Sequence, residues 1–257
     1  MKRVQVVLAI GLVASVLISA ESAVPDAPAA VSDGQAAGAT PDVDQVLAKY
    51  IQAVGGQSAI QKLTTLVMKG SVELPATGEI GTMQVFKKAP DKGLAIMSVP
   101  SSGPAPRGFN GRAGWYVDPD EGLKDVAGND LEAMKREFDF YRDIRLKALY
   151  PRMNFKGKEK VAGLEAFVIE ATAVDGAVEK MYFDTQSGLL VRNDTPYVTD
   201  DGKSAVQTVF EDYREVDGVK LPFVWRQTSP DFDYVIKFDE IRHDVSIDDS
   251  KFEKPKP

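Results

Sequence analysis

The residues able to do chemistry are few, and their spacing suits little of it. His243 precedes Asp244, a pairing that invites a nucleophilic triad, but it is the one His of the chain and no Gly-x-Ser-x-Gly turn presents a serine. Ser71 and Ser101-Ser102-Gly103 have no base assigned by spacing. Asp118-Pro119-Asp120-Glu121-Gly122 alternates carboxylates as a calcium loop does. Counted from Asp118, Gly falls fifth and Asn129 twelfth, whereas an EF-hand loop requires Gly at position six and Glu at position twelve. A solvated turn is the better reading. Asp200-Asp201 and Asp248-Asp249 fall in turn-like stretches, where carboxylates solubilise rather than form an acid/base couple. The absence of Cys closes thiolate, disulfide, Cys-bound zinc and iron–sulfur chemistry, and a single His cannot supply a two-His metal motif. The expectation is no catalytic residue, no metal and no cofactor. A formal net charge of −7 argues against nucleic acid as a partner.

What remains is apolar. In Arg107-Gly108-Phe109-Asn110-Gly111-Arg112-Ala113-Gly114-Trp115-Tyr116 the glycines and rings suggest a tight strand pair, with Trp115 either lining a ligand cavity or forming ordinary barrel core. Met134, Phe138, Tyr141, Ile144 and Ala148 form a helical stripe that either packs permanently or serves as a lid. Candidate contacts for an apolar ligand, in the cavity or on the lid, are Phe86, Phe109, Trp115, Met134, Phe138 and Tyr141. Arg136, Arg142, Arg145, Lys147 and Arg152 make this region locally basic, suited to anionic lipid head groups or an acidic partner. The interspersed Glu132, Glu137, Asp139 and Asp143 fit a solvated helix face equally well.

These side chains must be positioned by a chain that is 44% apolar, which excludes disorder. Lys2 and Arg3, the apolar run Val4 to Ile18 and the small residues after it read as a signal peptide over 1–22, cleaved after Ser22, which leaves no integral membrane span. Residues 23–39 are rich in Ala, Pro, Gly and Ser and read as a flexible linker. The domain spans 40–257. It opens on a helix capped by Thr40, with Pro41 in its first turn, an apolar stripe of Val43, Val46, Leu47, Tyr50 and Val54, and a Gly55-Gly56 stop. From Leu66 the apolar period becomes two. A second helix, capped by Asn129 with Glu132 three residues on, runs to about Tyr150 before Pro151. Beyond it, strands alternate with turns at Ala162-Gly163, Asp175-Gly176, Ser187-Gly188, Asp201-Gly202 and Asp217-Gly218, a meander of hairpins. The expected fold is mainly β (α+β): a half-open antiparallel β-barrel of about ten or eleven strands, with amphipathic helices covering its concave side.

This order of elements, together with Tyr50-Ile51-Gln52-Ala53-Val54-Gly55-Gly56, Tyr182-Phe183-Asp184-Thr185-Gln186-Ser187-Gly188-Leu189-Leu190-Val191-Arg192 and Phe210-Glu211-Asp212-Tyr213-Arg214-Glu215-Val216-Asp217-Gly218-Val219-Lys220-Leu221-Pro222, resembles the LolA/LolB family of periplasmic lipoprotein carriers and the related lipoprotein-sorting domains. The resemblance covers roughly Asp42 to Phe252. It implies a half-barrel closed by a helical lid over an apolar cavity that takes acyl chains of lipids or lipoproteins, in the periplasm of a Gram-negative-type bacterium or secreted from it. No ligand-contacting residue carries over individually, and the absence of Cys excludes a lipid-anchored receptor of the LolB kind. Two readings stand beside the carrier. One is an envelope structural or interaction module with a filled barrel, docking an envelope protein; the other is an enzyme whose carboxylates converge in a cleft with raised pKa values.

Overall fold

The computed structural model describes residues 41–199 and 202–256. The signal and linker segments, the Thr40 cap and the Asp200-Asp201 pair lie outside these residues. In chain order the elements are α1 (Val43–Ala53), α2 (Gln57–Ile60), β1 (Thr65–Leu74), β2 (Glu79–Lys88), β3 (Lys92–Val99), β4 (Gly103–Phe109), β5 (Gly114–Asp118), β6 (Gly122–Val126), α3 (Gly128–Phe138) and α4 (Arg142–Leu149). There follow β7 (Arg152–Val161), β8 (Leu164–Thr172), β9 (Val178–Asp184), β10 (Leu190–Thr199), β11 (Gly202–Val216), β12 (Val219–Thr228), β13 (Asp233–His243) and a terminal 3₁₀ turn (Asp249–Phe252).

All strands join one antiparallel sheet in the order β6-β5-β4-β3-β2-β1-β13-β12-β11-β10-β9-β8-β7. Neighbours are consecutive hairpins except where β1 pairs with β13. The helices carry the chain from one sheet edge to the other, which dictates curvature. Twelve inter-strand gaps of ~4.8 Å would make a flat sheet ~58 Å wide. Between Val126 and Arg152, nineteen helical residues at ~1.5 Å and six others at up to ~3.5 Å span at most ~50 Å. The sheet must curl for the connection to close, and α3 and α4 must cross its concave side.

Thirteen strands exceed the ten or eleven expected because β4 and β6 are weak as sequence. In β4, Pro104 and Pro106 remove ladder donors; β5 pairs only with Arg107 to Phe109, so both prolines lie past its end, where one side of β4 has no partner. The short β6 closes a hairpin through the acidic loop: Asp118 Oδ1 accepts from the backbone N–H of Asp120 (2.9 Å) and Glu121 (2.8 Å), an Asx turn.

The helix termini also differ from expectation. Asp42 rather than Thr40 caps α1, with Gln45 Oε1 accepting from the Asp42 N–H at 3.1 Å. Ala127 occupies the cap position of α3, which places Asn129 inside the first turn. The single helix expected from 129 to 150 is broken at Asp139–Tyr141. Asp139 Oδ1 accepts from Tyr141 N–H (2.9 Å), its Oδ2 accepts from Arg145 (2.6 Å), and Phe140 N–H donates to Pro90 O (2.9 Å) instead of to the helix. An Asp competing for backbone donors and a backbone N–H diverted to a loop together stop one helix and start another.

Two core clusters fill the concave face. One lies beneath α3 (Met83, Met97, Phe109, Met134, Phe138, Ile236); the other lies beneath α1 and α4 (Leu47, Tyr50, Leu146, Ile169, Met181, Phe183). Gly55, at φ 118°, lets the end of α1 dock on the β11–β12 turn: a Cβ there would lie 2.2 Å from Gly218 O, and Lys220 N–H donates to Val54 O at 2.9 Å. The 3₁₀ turn covers the convex face, where Phe86, Leu94, Trp115 and Phe252 pack and Trp115 Nε1–H donates to Phe252 O at 3.2 Å.

Lys88 and Lys92 hold the start of that turn, at 2.8 and 2.9 Å from the Asp249 carboxylate, and their hydrogen bonds pull its pKa down to about 2. An unfolded Asp titrates near ~3.9. Because the folded value is the lower one, this contact stabilises above about pH 4 and is lost as pH falls through about 2. Trp115 emission is expected to shift slightly to the red over that window, less at high salt because Asp249 is exposed. An identical acid titration in Asp249→Asn would contradict this assignment.

Candidate functional site

The two concave core clusters do not meet. Between them, under α1, α3 and α4, lies a cavity of about 290 Å³. Its apolar wall includes Val54, Ile60 and Leu63 from the N-terminal helices and the residues that follow them, Leu66 and Met68 from β1, Val85, Phe138, Val206 and Leu221. That volume stands just below the ~300–1,000 Å³ typical of ligand pockets.

The polar groups of the wall form connected sets. On the β9 side, Glu179 accepts from Tyr150 OH (2.6 Å), Arg142 Nη2 (3.2 Å) and Asn193 Nδ2 (3.0 Å), while Arg136 Nη1 donates to Asp175 at 2.7 Å. Burial pushes the Tyr150 hydroxyl well above its ordinary value, and Glu179 adds to the shift. Near the α3–α4 break, Arg107 pairs with Glu137 at 2.7 Å and Lys87 Nζ donates to Glu137 O at 2.6 Å. Burial pushes the Glu137 carboxyl up and the Lys87 ammonium down, each opposed by the charge of the other. Asp143 accepts from Tyr50 OH at 2.8 Å, and Tyr213 OH donates to Leu190 O at 2.7 Å. Acidic groups therefore do converge near a cleft, but each carboxylate is engaged by a cation or a phenol: Asp143 ties α4 to Tyr50 of α1, Asp139 holds Arg145 of α4, and Glu137 and Glu179 fasten the helices to the sheet. The ion pairs Arg142–Glu179, Arg107–Glu137 and Arg136–Asp175 all cross from helix to sheet or its turns.

Phe138, the last residue of α3, lines the cavity. Phe109 and Met134 pack within the cluster beneath α3, and Phe86 and Trp115 lie on the convex face against Phe252. Tyr141 sits at the helix break, its OH donating to Leu63 O at 3.2 Å, beside a shallow surface depression that includes Gln57 and Ile144. Four of the five basic residues are engaged rather than forming an open patch: Arg136 and Arg142 turn inward, Arg145 pairs with Asp139, and Lys147 pairs with Asp44, while Arg152 is exposed at the start of β7. His243 ends β13 with its side chain 4% exposed, lines the cavity, and holds Asp217 through Nδ1 at 3.1 Å. Asp244 instead accepts from Thr64, so the adjacent pair makes no relay.

Glu179, Asn193, Trp225 and Gln227 line the cavity and were not singled out by sequence. For Glu179 a signal exists: it alternates in phase with Met181 and Phe183, which puts a carboxylate on the apolar face of β9. For Asn193 none does, because a bulge between Leu190 and Arg192 shifts the phase of β10.

A curled, unclosed antiparallel sheet with short helices laid into its concavity over an apolar void is the LolA-like half-barrel. Solved structures with this arrangement include a DUF1329 family protein from Desulfovibrio piger (14% identity, TM-score 0.55, covering 83% of this chain and 98% of the other). A LolA superfamily protein from Nitrosomonas europaea matches at 12% identity and TM-score 0.54, over 84% of this chain and 99% of the other. An outer membrane lipoprotein-sorting protein domain from Vibrio parahaemolyticus matches at 13% identity and TM-score 0.50, over 81% and 97%. No protein-family model and no curated protein matches the sequence. Among the described residues, no helix is long and apolar enough to cross a membrane.

Proposed function

We propose that this chain is an exported, non-catalytic carrier or binding protein for a lipid or an acyl chain, including one borne by a lipoprotein, and that it works in the periplasm of a Gram-negative-type envelope. The observation that carries this reading is the cavity itself: an apolar interior that well-matched side chains would fill is left open between the two halves of the core. At about 290 Å³ it accommodates one chain and not a bundle of them, unless the helices move. Phe138 is assigned a place in the ligand wall, and Phe109, Met134 and Tyr141 are assigned to holding the helices above it. The likeness to the solved LolA superfamily and lipoprotein-sorting structures supports the architecture of this reading. The open cavity favours it over a filled interaction module.

The test is native mass spectrometry of delipidated protein after exposure to envelope lipid extract. A stoichiometric lipid adduct is expected, and its absence overturns the carrier reading. Leu66 is half-buried on the cavity wall, so Leu66→Trp adds volume inside the void. That variant is expected to lose the adduct at least tenfold while its Tm stays within a few degrees of wild type. Undiminished binding by a folded Leu66→Trp protein would place the lipid elsewhere.

A further inference from the structure

One stretch of the cavity wall is polar in a way that packing does not require. Asn193, Thr208 and Gln227 are direct cross-strand partners on β10, β11 and β12, so their side chains form a row across the concave face. All are buried, and Gln227 Nε2 donates to Thr208 Oγ1 at 3.3 Å. Asn193 is 8% exposed and lines the cavity. Its Nδ2 donates to the Glu179 carboxylate at 3.0 Å, which fixes the amide's orientation, since the flipped amide would set oxygen against carboxylate. Asn193 Oδ1 is then an acceptor without a donor among the described residues. Trp225, two positions along β12 from Gln227, also lines the cavity. Its ring is wedged edge-on against Phe238 (centroids 4.9 Å apart) and Phe210 (6.1 Å), and its buried Nε1–H has no acceptor among the described residues. Unsatisfied buried polar atoms are uncommon in native proteins. Here an unpaired acceptor and an unpaired donor belong to two residues that line one void, on strands separated by β11 and roughly 12 Å apart at their Cα atoms.

Resting on the carrier reading, we infer that the ligand is a neutral single-chain amphiphile whose head group carries a hydroxyl donor for Asn193 Oδ1 beside an acceptor for Trp225 Nε1–H. A plain hydrocarbon or a simple ester leaves at least one of these atoms unpaired. A carboxylate or phosphate beside Asn193 would face the oxygens of Asn193 and Glu179, while Arg142 Nη2 and Arg136 Nη1 are committed to Glu179 and Asp175. The row of uncharged polar side chains matches an uncharged, hydroxylated head group.

The experiment compares three ligands sharing one C10 chain, titrated calorimetrically as monomers into the full-length folded protein: monodecanoylglycerol (hydroxyls and an ester), methyl decanoate (ester only) and decanoate (anion). Monodecanoylglycerol is expected to bind about tenfold more tightly than either of the others, the scale of one buried hydrogen bond. Asn193→Leu is expected to bring monodecanoylglycerol and methyl decanoate to equal affinity. Trp225→Phe, which keeps a ring and removes the donor, is expected to weaken both esters about equally, three- to tenfold. This second variant decides the matter if Asn193→Leu does not fold. Equal affinities in the wild type, tighter decanoate, or a Trp225→Phe protein with unchanged affinities overturns the inference while leaving the carrier reading standing. Failure of all three ligands to bind overturns both.

Discussion

Glu179→Ala is expected to lower stability by about 3–5 kcal/mol, the cost of leaving a buried cation without its partner. At roughly 2–4 °C per kcal/mol for a domain of this size, Tm would fall by about 6–20 °C. The side chain is 6% exposed and accepts from Tyr150, Arg142 and Asn193, with Arg136 Nε at 4.0 Å from Oε1. Alanine removes every acceptor at once. Arg142 would remain half-buried over the Tyr150 ring, its guanidinium 5.8 Å from the centroid, a contact worth far less than a carboxylate. The mechanism is tested by the double variant Glu179→Ala with Arg142→Met, which is expected to be more stable than Glu179→Ala alone because the orphaned charge is gone. A denaturation series in which the single variant loses under 1 kcal/mol, or in which the double variant is the less stable, would refute this account of the cluster.

The same cluster marks where sequence stops being informative. The architecture was legible because two signals agree along most of the chain: period-two alternation such as Tyr234, Ile236 and Phe238, and turns with Gly at positive φ such as Gly163, Gly176, Gly188 and Gly218. It was less legible where a signal is carried by the partner. The strand β4 contains two prolines and exists because β3 supplies a full-length edge. The break between α3 and α4 depends on Phe140 N–H meeting Pro90 O, a residue fifty positions earlier. The candidate site suffered most. Aromatic identity picked out Phe86 and Trp115, but alternation within a strand assigns opposite faces without saying which is concave: Val85 lines the cavity while its neighbour Phe86 packs beneath the 3₁₀ turn. Arginines that read as a solvated or lipid-facing patch fold inward because carboxylates on distant strands and turns receive them, and no local spacing reports a partner dozens of residues away.

Gly93→Ala is expected to lift the end of α3 from the sheet, and its effect should reverse sign when Phe138 is truncated. Gly93 is on β3, and a Cβ built there would lie 1.9 Å from Phe138 Cδ1, where ordinary contact begins near 3.4 Å. The ring must retreat by more than 1 Å. The ring, on the last residue of α3, is 1% exposed with the Arg107 guanidinium 5.7 Å from its centroid, so its retreat pulls on the helix end and on the wall of the cavity it lines. Overpacking of this kind costs about 1–3 kcal/mol, and because Phe138 lines the cavity, the displacement should also speed ligand release. Phe138→Ala alone removes the ring and is expected to cost about 3–5 kcal/mol through the cavity it leaves. In that background the methyl of Gly93→Ala enters vacated space and reduces the freedom of the unfolded chain, a gain of about 0.4–1 kcal/mol. Urea unfolding of the four proteins in this cycle yields the coupling directly. Additive costs would mean that the glycine is there for the strand alone; a reversed sign would mean that it is there to seat the ring that closes the cavity.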